Sequence, residues 1–523
     1  MRIQRQRIWA LGLSLLASAL ISLPYLVARD LASPHVFTGF LINPVDGFSY
    51  LAKMREGFLG SWTFTLPYAA EAGDGVLLYL YYLCLGHLAA FLHTPLMLMY
   101  HAARMLSTIL MFFMAFRLYE RLFRDPRWTW TAFTLTLLAS GLGWAGVFLG
   151  IDGTDLTIPE SIPLFNAYTN AHFPLALAAI LGIALACLRT AENHLLALLR
   201  GWFWGTVLVL VLPFSTVSIG ASLAVWLAYE MYLKRQAIGR NLRRLVMLPG
   251  IPGFAGFVLG TGPWLMYNVW VVLNHPVISG WTAQNQTPSP SIERYLLGYS
   301  PLLLFAILAY MRSYPMQRRE SRLLAIWLVV NALLLYAPVS IQRRFNLGLF
   351  IPLVGMAVMG LAATLSPARL KMGALLVVVV TLPSLALLVG AGLFGVAEGR
   401  NELVFTQDER EAYLWLQENL PEGALVLAGP GAGNRIPAFA PGRVLYGHPF
   451  ETPDADDMLD VVERFFDSAA GESVRVEIIE TYDVEYLFAG PEEAALGYSS
   501  GSFAGESVFQ NDSITIFRVQ VDE

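Results

Sequence analysis

The sequence predicts a polytopic α-helical membrane protein of about 11 transmembrane helices with a small C-terminal extracytoplasmic α/β domain. Three observations carry this expectation: the bulk composition, the spacing of apolar runs, and a change of character near residue 397. With 523 residues, 56% of them hydrophobic and 14% charged, and a mean hydropathy of +0.54, the chain has too little polar surface to cover a soluble globule. Its partner is a lipid bilayer, and no nucleic-acid partner is expected. Cys84 and Cys187 both lie in apolar stretches, which offers neither a disulfide framework nor a cysteine metal site.

Crossing a hydrocarbon core of ~30 Å takes roughly 20 apolar residues. That ruler places spans near 8–28, 97–116, 129–150, 172–188, 199–213, 216–233, 245–272, 295–311, 323–341, 346–365 and 372–396. The first follows Arg2, Arg5 and Arg7, lacks a small-residue cleavage site, and reads as a retained signal anchor. The run 76–94 is also long enough, but counting it would invert every later loop. With 76–94 lying in the interface or re-entering, the inner loops hold 20 basic residues, among them Arg189, Arg240, Arg243 and Arg244, and the outer loops before residue 397 hold 7. The positive-inside rule then puts the N-terminus in the cytoplasm and the C-terminus outside a plasma membrane.

This divides the chain into a transmembrane domain, 1–396, with acidic outer loops at 29–96 and 151–171, and a soluble extracytoplasmic domain, 397–523. From Glu398 onward there are 25 acidic and 7 basic residues, against 14 and 27 before it. Thr406 with Glu409 forms a capping box for a helix running to about Leu420. Segments 424–428, 443–446, 484–489 and 513–519 read as strands, with helices near 454–468 and 472–482 between them. Gly429-Pro-Gly-Ala-Gly433 lacks the Lys-Ser/Thr of a P-loop and the spacing of a dinucleotide fingerprint, so it is read as a tight turn without a cofactor. His448 is expected to close a turn, the alternative being a position facing a cleft.

Polar residues gather in the predicted outer loops. If 45–58 is helical, Asp46, Tyr50 and Lys53 fall at i, i+4 and i+7 on one face, opposite a lipid-seeking set of Phe48, Leu51 and Phe58. Glu71 follows in the same loop. The second outer loop carries Asp152 and Asp155, and His172 stands at the mouth of the next span. Arg343 and Arg344 lie between two hydrophobic spans, where guanidinium groups are costly unless they meet anions; lipid phosphate is the expected partner. Together these residues point to sugar transfer from a lipid-phosphate donor. Asp46 would remove the acceptor proton, and cations would offset charge on the departing phosphate. A divalent ion held by Asp46, a second-loop acid and water is left open; no spacing demands one.

A first outer loop with an early Asp and interfacial helices, a second acidic loop, many spans and an outer C-terminal domain resemble the GT-C superfamily of membrane glycosyltransferases. Protein O-mannosyltransferases, aminoarabinose transferases and oligosaccharyltransferase catalytic subunits share that plan. The resemblance implies that Asp46 is the catalytic base or contacts the acceptor, that Glu71 matches an acid ahead of an interfacial helix, and that Asp152 or Asp155 takes the second-loop acid position. It also implies a polyprenyl-phosphate-linked sugar donor and a lipid, glycan or protein acceptor. Leu83-Cys-Leu-Gly86, with His101 and Arg104, resembles the family's approach to its second span and favours an interfacial 76–94. Asp46 is followed by Gly47, where the pattern often shows two adjacent acids, which weighs against a metal-dependent oligosaccharyltransferase-like mechanism.

Two other classes fit the composition. A transporter or flippase of lipid-linked glycans should carry charges inside its spans and internal repeats. Here the spans are nearly free of acids, Glu230 being the chief exception, and no repeat is evident. A non-catalytic membrane scaffold would leave the outer-loop residues scattered.

Overall fold

The structure, a computed structural model, describes residues 2–188, 193–238, 248–312, 316–366, 369–499 and 505–519. Arg189, Arg240, Arg243 and Arg244 of the expected inner loops lie outside them, as does the chain end 520–523. The first five long helices are α1 (Arg2–Leu31), α2 (Pro44–Phe58), α3 (Leu80–Phe91), α4 (Leu96–Leu122) and α5 (Pro126–Leu138). Asp125 starts α5 by accepting the Arg127 amide at 2.9 Å, with Pro126 at the first helical position, where its missing N–H costs nothing.

Among the described residues, seven helical segments are long and apolar enough to cross a bilayer: Ile3–Leu31, Leu96–Leu122, Pro126–Val147, His194–Val211, Phe214–Leu233, Ile251–Asn274 and Leu370–Ala397. The pair Ile292–Tyr299 and Leu302–Met311 makes an eighth if counted as one span; it bends by 90° at Ser300-Pro301, where proline cannot continue the helical hydrogen bonds. Ile8, Trp9, Leu20 and Leu26 of α1 each expose more than half their surface, an apolar face that suits lipid. The chain is a membrane protein. Three expected spans form shorter helices, His172–Cys187, Arg319–Leu334 and Phe350–Thr364, of 16, 16 and 15 residues. Eleven is therefore a finer count than length and composition establish.

The chain folds as two compact units, each assembled from separated stretches. The first comprises Met1–Pro24, Ala102–Tyr267 and Thr287–Ala391. Its interior carries buried polar ties: Asn346 Nδ2 donates to Ser161 Oγ at 2.8 Å, and Ser222 Oγ donates to Asn331 Oδ1 at 3.0 Å. Glu230 accepts from Arg322 at 2.6 Å, so its charge is compensated inside the helix pair.

The second unit comprises Tyr25–His101, Asn268–Gln286 and Gly392–Glu523. Strands β1 (Val36–Phe37) and β2 (Val404–Phe405) form a short antiparallel pair. Five others, β3 (Leu425–Leu427), β4 (Arg443–Val444), β5 (Tyr486–Ala489), β6 (Glu506–Gln510) and β7 (Thr515–Arg518), form a sheet of order β4-β3-β5-β7-β6. β4, β3 and β5 run parallel, and β7 and β6 are antiparallel. Alternation along the strands feeds two cores. Val426, Phe488 and Ile516 pack with Tyr413, Leu416 and Ile436 from the helices Gln407–Asn419 and Pro430–Phe439. Leu425, Leu427, Leu487 and Phe517 pack with Phe465, Phe466 and Ile478 from Ala455–Phe466 and Glu472–Tyr482.

The expected capping box is present: Thr406 Oγ1 accepts from the Glu409 amide at 3.1 Å and Glu409 Oε2 accepts from the Thr406 amide at 2.7 Å. The glycine-rich stretch is not a bare turn, because Pro430 opens the ten-residue helix Pro430–Phe439. Its free amides are occupied from within. Glu492 accepts from Gly431 and Ala432, and Glu493 accepts from Gly429 at 2.6 Å.

Within this unit α2 and α3 pack backbone to backbone. A Cβ on Gly57 would stand 2.1 Å from the Leu83 carbonyl oxygen, and one on Gly86 only 1.9 Å from that of Met54. α3 has 12 residues, a rise of about 18 Å, too short for a hydrocarbon core of ~30 Å. Gly86→Val must push the two helices apart; it is expected to cost about 2 kcal/mol or more and to lower the melting temperature of the detergent-solubilised protein in a thermal size-exclusion assay.

Candidate active site

α2 begins where the chain turns at Asn43, whose φ of 54° lies in the left-handed region that asparagine tolerates, and Pro44 fixes the first helical position. Asp46 thus sits in the first turn, where free amides and the helix dipole favour negative charge. Its carboxylate receives two further donors. Asn43 Nδ2 donates to Oδ2, and His448 Nε2 stands 3.1 Å from Oδ1. The Asp46 side chain is 33% exposed, whereas that of His448 is 2% exposed. The result is an oriented, partly exposed carboxylate.

Seven residues on, Lys53 is fully buried. Its Nζ donates to both oxygens of Glu451, at 2.9 and 2.8 Å, and to Ser49 Oγ, which in turn donates to Glu451 at 2.8 Å. The ammonium also lies 4.4 Å from the centre of the Tyr79 ring. Tyr79 holds a φ of 53°, unusual for a bulky residue, at the start of α3. Burial pushes the Glu451 carboxyl up, but the Lys53 ammonium, bonded to both of its oxygens, overcomes this and holds the group below the usual carboxylate range. Tyr50 lies on the same helix face, its ring stacked on Tyr82 at 4.7 Å; burial, and then the charge of Asp46, keep its hydroxyl well above the ordinary tyrosine range. Two turns of α2 thus present Asp46, Tyr50 and Lys53 on one face, as the spacing predicts.

The opposite face is not turned to lipid as expected. Phe48 is 1% exposed and packs against Phe40 and Phe439 at ring distances of 5.5 and 6.1 Å; Leu51 is buried as well, and only Phe58 of the three is substantially exposed. The helix Pro430–Phe439 covers that face: Asn434 Nδ2 donates to the Val45 carbonyl and Arg55 Nε to that of Ala438. Glu56 is tied to Thr65 through its amide and hydroxyl, and burial pushes its carboxyl up to about 7. Glu71 is exposed.

Asp152, Asp155, His172, Arg343 and Arg344 belong to the other unit. Asp152 is exposed, 3.8 Å from Arg294. Asp155 is buried and accepts from Ser140 Oγ and the amides of Gly141 and Gly143, at 3.1 to 3.2 Å; burial raises its pKa despite these donors. His172 is buried at the start of its helix with its ring 4.2 Å from that of Phe173. Arg343 and Arg344 lie in the turn Gln342–Asn346; Arg344 stacks on Phe214 at 4.4 Å, and Arg343 Nε is buried without a hydrogen-bond partner.

Sequence reasoning missed Asn43, Ser49 and Glu451, and for His448 preferred turn closure to a position facing a cleft. His448 does both: its carbonyl accepts from the Thr452 amide at 2.9 Å while its ring reaches Asp46. The one signal available was the polar run Tyr446-Gly-His-Pro-Phe-Glu-Thr452 between apolar elements. Among the described residues no group of three or more His, Cys, Asp or Glu side chains is arranged to hold a metal ion.

Two outcomes follow from this geometry. Lys53→Met would leave Glu451 charged and buried without its cation, a loss of about 3–5 kcal/mol that thermal unfolding should register. Glu56, whose folded pKa of about 7 lies above its unfolded value, favours folding below about pH 4.5 and loses that contribution as the pH rises through 7. The melting temperature of wild type should therefore fall relative to Glu56→Gln between about pH 5 and 8.

Neither a protein-family model nor a curated protein matches the sequence. Solved structures do. The chain is similar to the Archaeoglobus fulgidus oligosaccharyltransferase in its apo form, with 13% identity and a TM-score of 0.52 over 92% of this chain and 69% of that one. It is similar to ArnT from Cupriavidus metallidurans in the apo state, with 13% identity and a TM-score of 0.51 over 97% of both chains. The arabinofuranosyltransferase AftD from Mycobacteria gives 14% identity and a TM-score of 0.52 over 99% of this chain and 40% of its own. All three are glycosyltransferases of the GT-C class, and likeness at this level of identity is likeness of fold. The protein has the GT-C fold.

Proposed function

We propose that the protein is an inverting membrane glycosyltransferase that moves a sugar from a polyprenyl-phosphate-linked donor to an extracytoplasmic acceptor, with Asp46 as general base. The observation that carries this reading is the Asp46 carboxylate, oriented by Asn43 and His448 and one-third exposed, in a chain of GT-C fold. An archaeal oligosaccharyltransferase of that fold was solved with an inhibitory peptide and a dolichol-phosphate, at 14% identity and a TM-score of 0.50. The eleven-span topology with an inner N-terminus, and an outer domain from residue 397, belong to the same proposal.

In the reaction an acceptor hydroxyl oxygen attacks the anomeric carbon from the face opposite the phosphate. The bond from that carbon to the phosphate oxygen breaks, its electron pair leaves with the polyprenyl phosphate, and the acceptor proton passes to Asp46. Asn43 and His448 orient the two Asp46 oxygens, and about a third of the side chain is exposed, which is the side from which an acceptor hydroxyl would approach. Arg343 and Arg344 carry the cationic role that lipid phosphate requires. Tyr50, Glu71, Asp152, Asp155 and His172 remain substrate-contact proposals, and Lys53, with its ammonium enclosed, acts on the site by holding Glu451. No step is assigned to a metal.

A positioned base contributes about 10²- to 10⁴-fold in rate. Membranes supplied with radiolabelled polyprenyl-phosphate sugars should yield labelled product with wild type and at least about 10²-fold less with Asp46→Asn. Equal turnover by both proteins removes Asp46 from the mechanism. Absence of product with every donor overturns glycosyl transfer in favour of transport of lipid-linked glycans.

A further inference from the structure

We infer that His448 is the positioning residue of Asp46, and that the buried Lys53–Glu451 pair holds the turn that delivers it. The inference rests on the reading of Asp46 as the base, and it concerns what aims that base. Every polar group of His448 is committed. Its amide donates to Thr452 Oγ1 at 3.2 Å, and its carbonyl accepts from the amides of Glu451 and Thr452 at 3.2 and 2.9 Å. Its ring Nδ1 accepts from the Phe450 amide at 3.1 Å. A neutral imidazole that accepts at Nδ1 carries its proton on Nε2, and Nε2 is the atom that faces Asp46 Oδ1. The tautomer is set by the backbone of the turn, so the donor is in place before any substrate arrives.

The turn is anchored three residues further on. Glu451 reaches back to Lys53 and Ser49 of α2, and Gln284 Nε2 donates to the Thr452 carbonyl. Asp46, Ser49 and Lys53 are thus three points on one helix, and His448 and Glu451 two points on one turn. Two bonds between rigid elements fix both distance and rotation, where one would act as a swivel. Asn43 restrains the other Asp46 oxygen from within the same loop. The carboxylate plane is thus defined by one donor on each oxygen.

The distinguishing measurement is the kcat and KM of two replacements together with the nitrogen spectrum of the ring. His448→Phe keeps an aromatic ring without the donor; it should lower kcat about 10- to 100-fold with the acceptor KM unchanged. His448→Gln places an amide N–H within reach of Asp46 and should recover most of that loss. In ¹⁵N-histidine-labelled, detergent-solubilised wild type, the signal absent from His448→Gln should report an Nε2-protonated neutral ring and should move in Asp46→Asn. The spectrum needs no turnover. If no donor supports transfer, the glycosyltransferase reading fails, and the spectrum still decides whether His448 and Asp46 are coupled. An Nδ1-protonated ring, a signal indifferent to Asp46→Asn, or unchanged kcat in His448→Phe overturns the positioning role.

Discussion

The site depends on one buried ion pair. Taking a lysine and a glutamate out of water costs several kcal/mol per charge, and their attraction returns that only when geometry is good and the remaining donors are satisfied. Here they are: the ammonium meets both Glu451 oxygens, Ser49 and the face of Tyr79. Such a pair adds little net stability compared with apolar packing, but it tolerates one relative placement of α2 and the 446–452 turn and penalises the others. Register is what it supplies, and the orientation of Asp46 follows from that register.

The same unit uses carboxylates in two further ways. Glu492 and Glu493 fill the amides at the head of the helix Pro430–Phe439, so that a glycine-rich sequence with poor helix propensity is held helical by anions some 60 residues away. Glu56 joins α2 to Thr65 at the cost of a strongly raised carboxyl pKa. Asp46 differs in where its donors come from: the Asn43 side chain of its own turn and the His448 ring 402 positions away, with a third of its side chain exposed. That contrast, more than its position in the sequence, separates it from Glu56, Glu492 and Glu493.

Much of this was legible in the sequence where the determinants are local. The i, i+4, i+7 face of Asp46, Tyr50 and Lys53 follows from helical period alone, and the Thr406–Glu409 box from two residues three apart. The strands of the sheet are visible as short apolar runs; β6 is not, since its alternation is weak. What stayed hidden is non-local. Nothing near Lys53 announces Glu451, and nothing near Phe48 announces the helix that buries it, so an apolar face was assigned to lipid. Hydropathy also overestimates span length where an apolar run exceeds its helix, as at Phe350–Thr364.

The discontinuity of the second unit has a consequence for biogenesis. Lys53 and Glu451 are 398 positions apart. At about 5–20 residues per second, a ribosome takes on the order of 20 to 80 seconds to travel between them. Throughout that interval α2 has left the ribosome with an unneutralised ammonium and an uncovered aromatic face, and the polypeptide must be sheltered until its last quarter emerges.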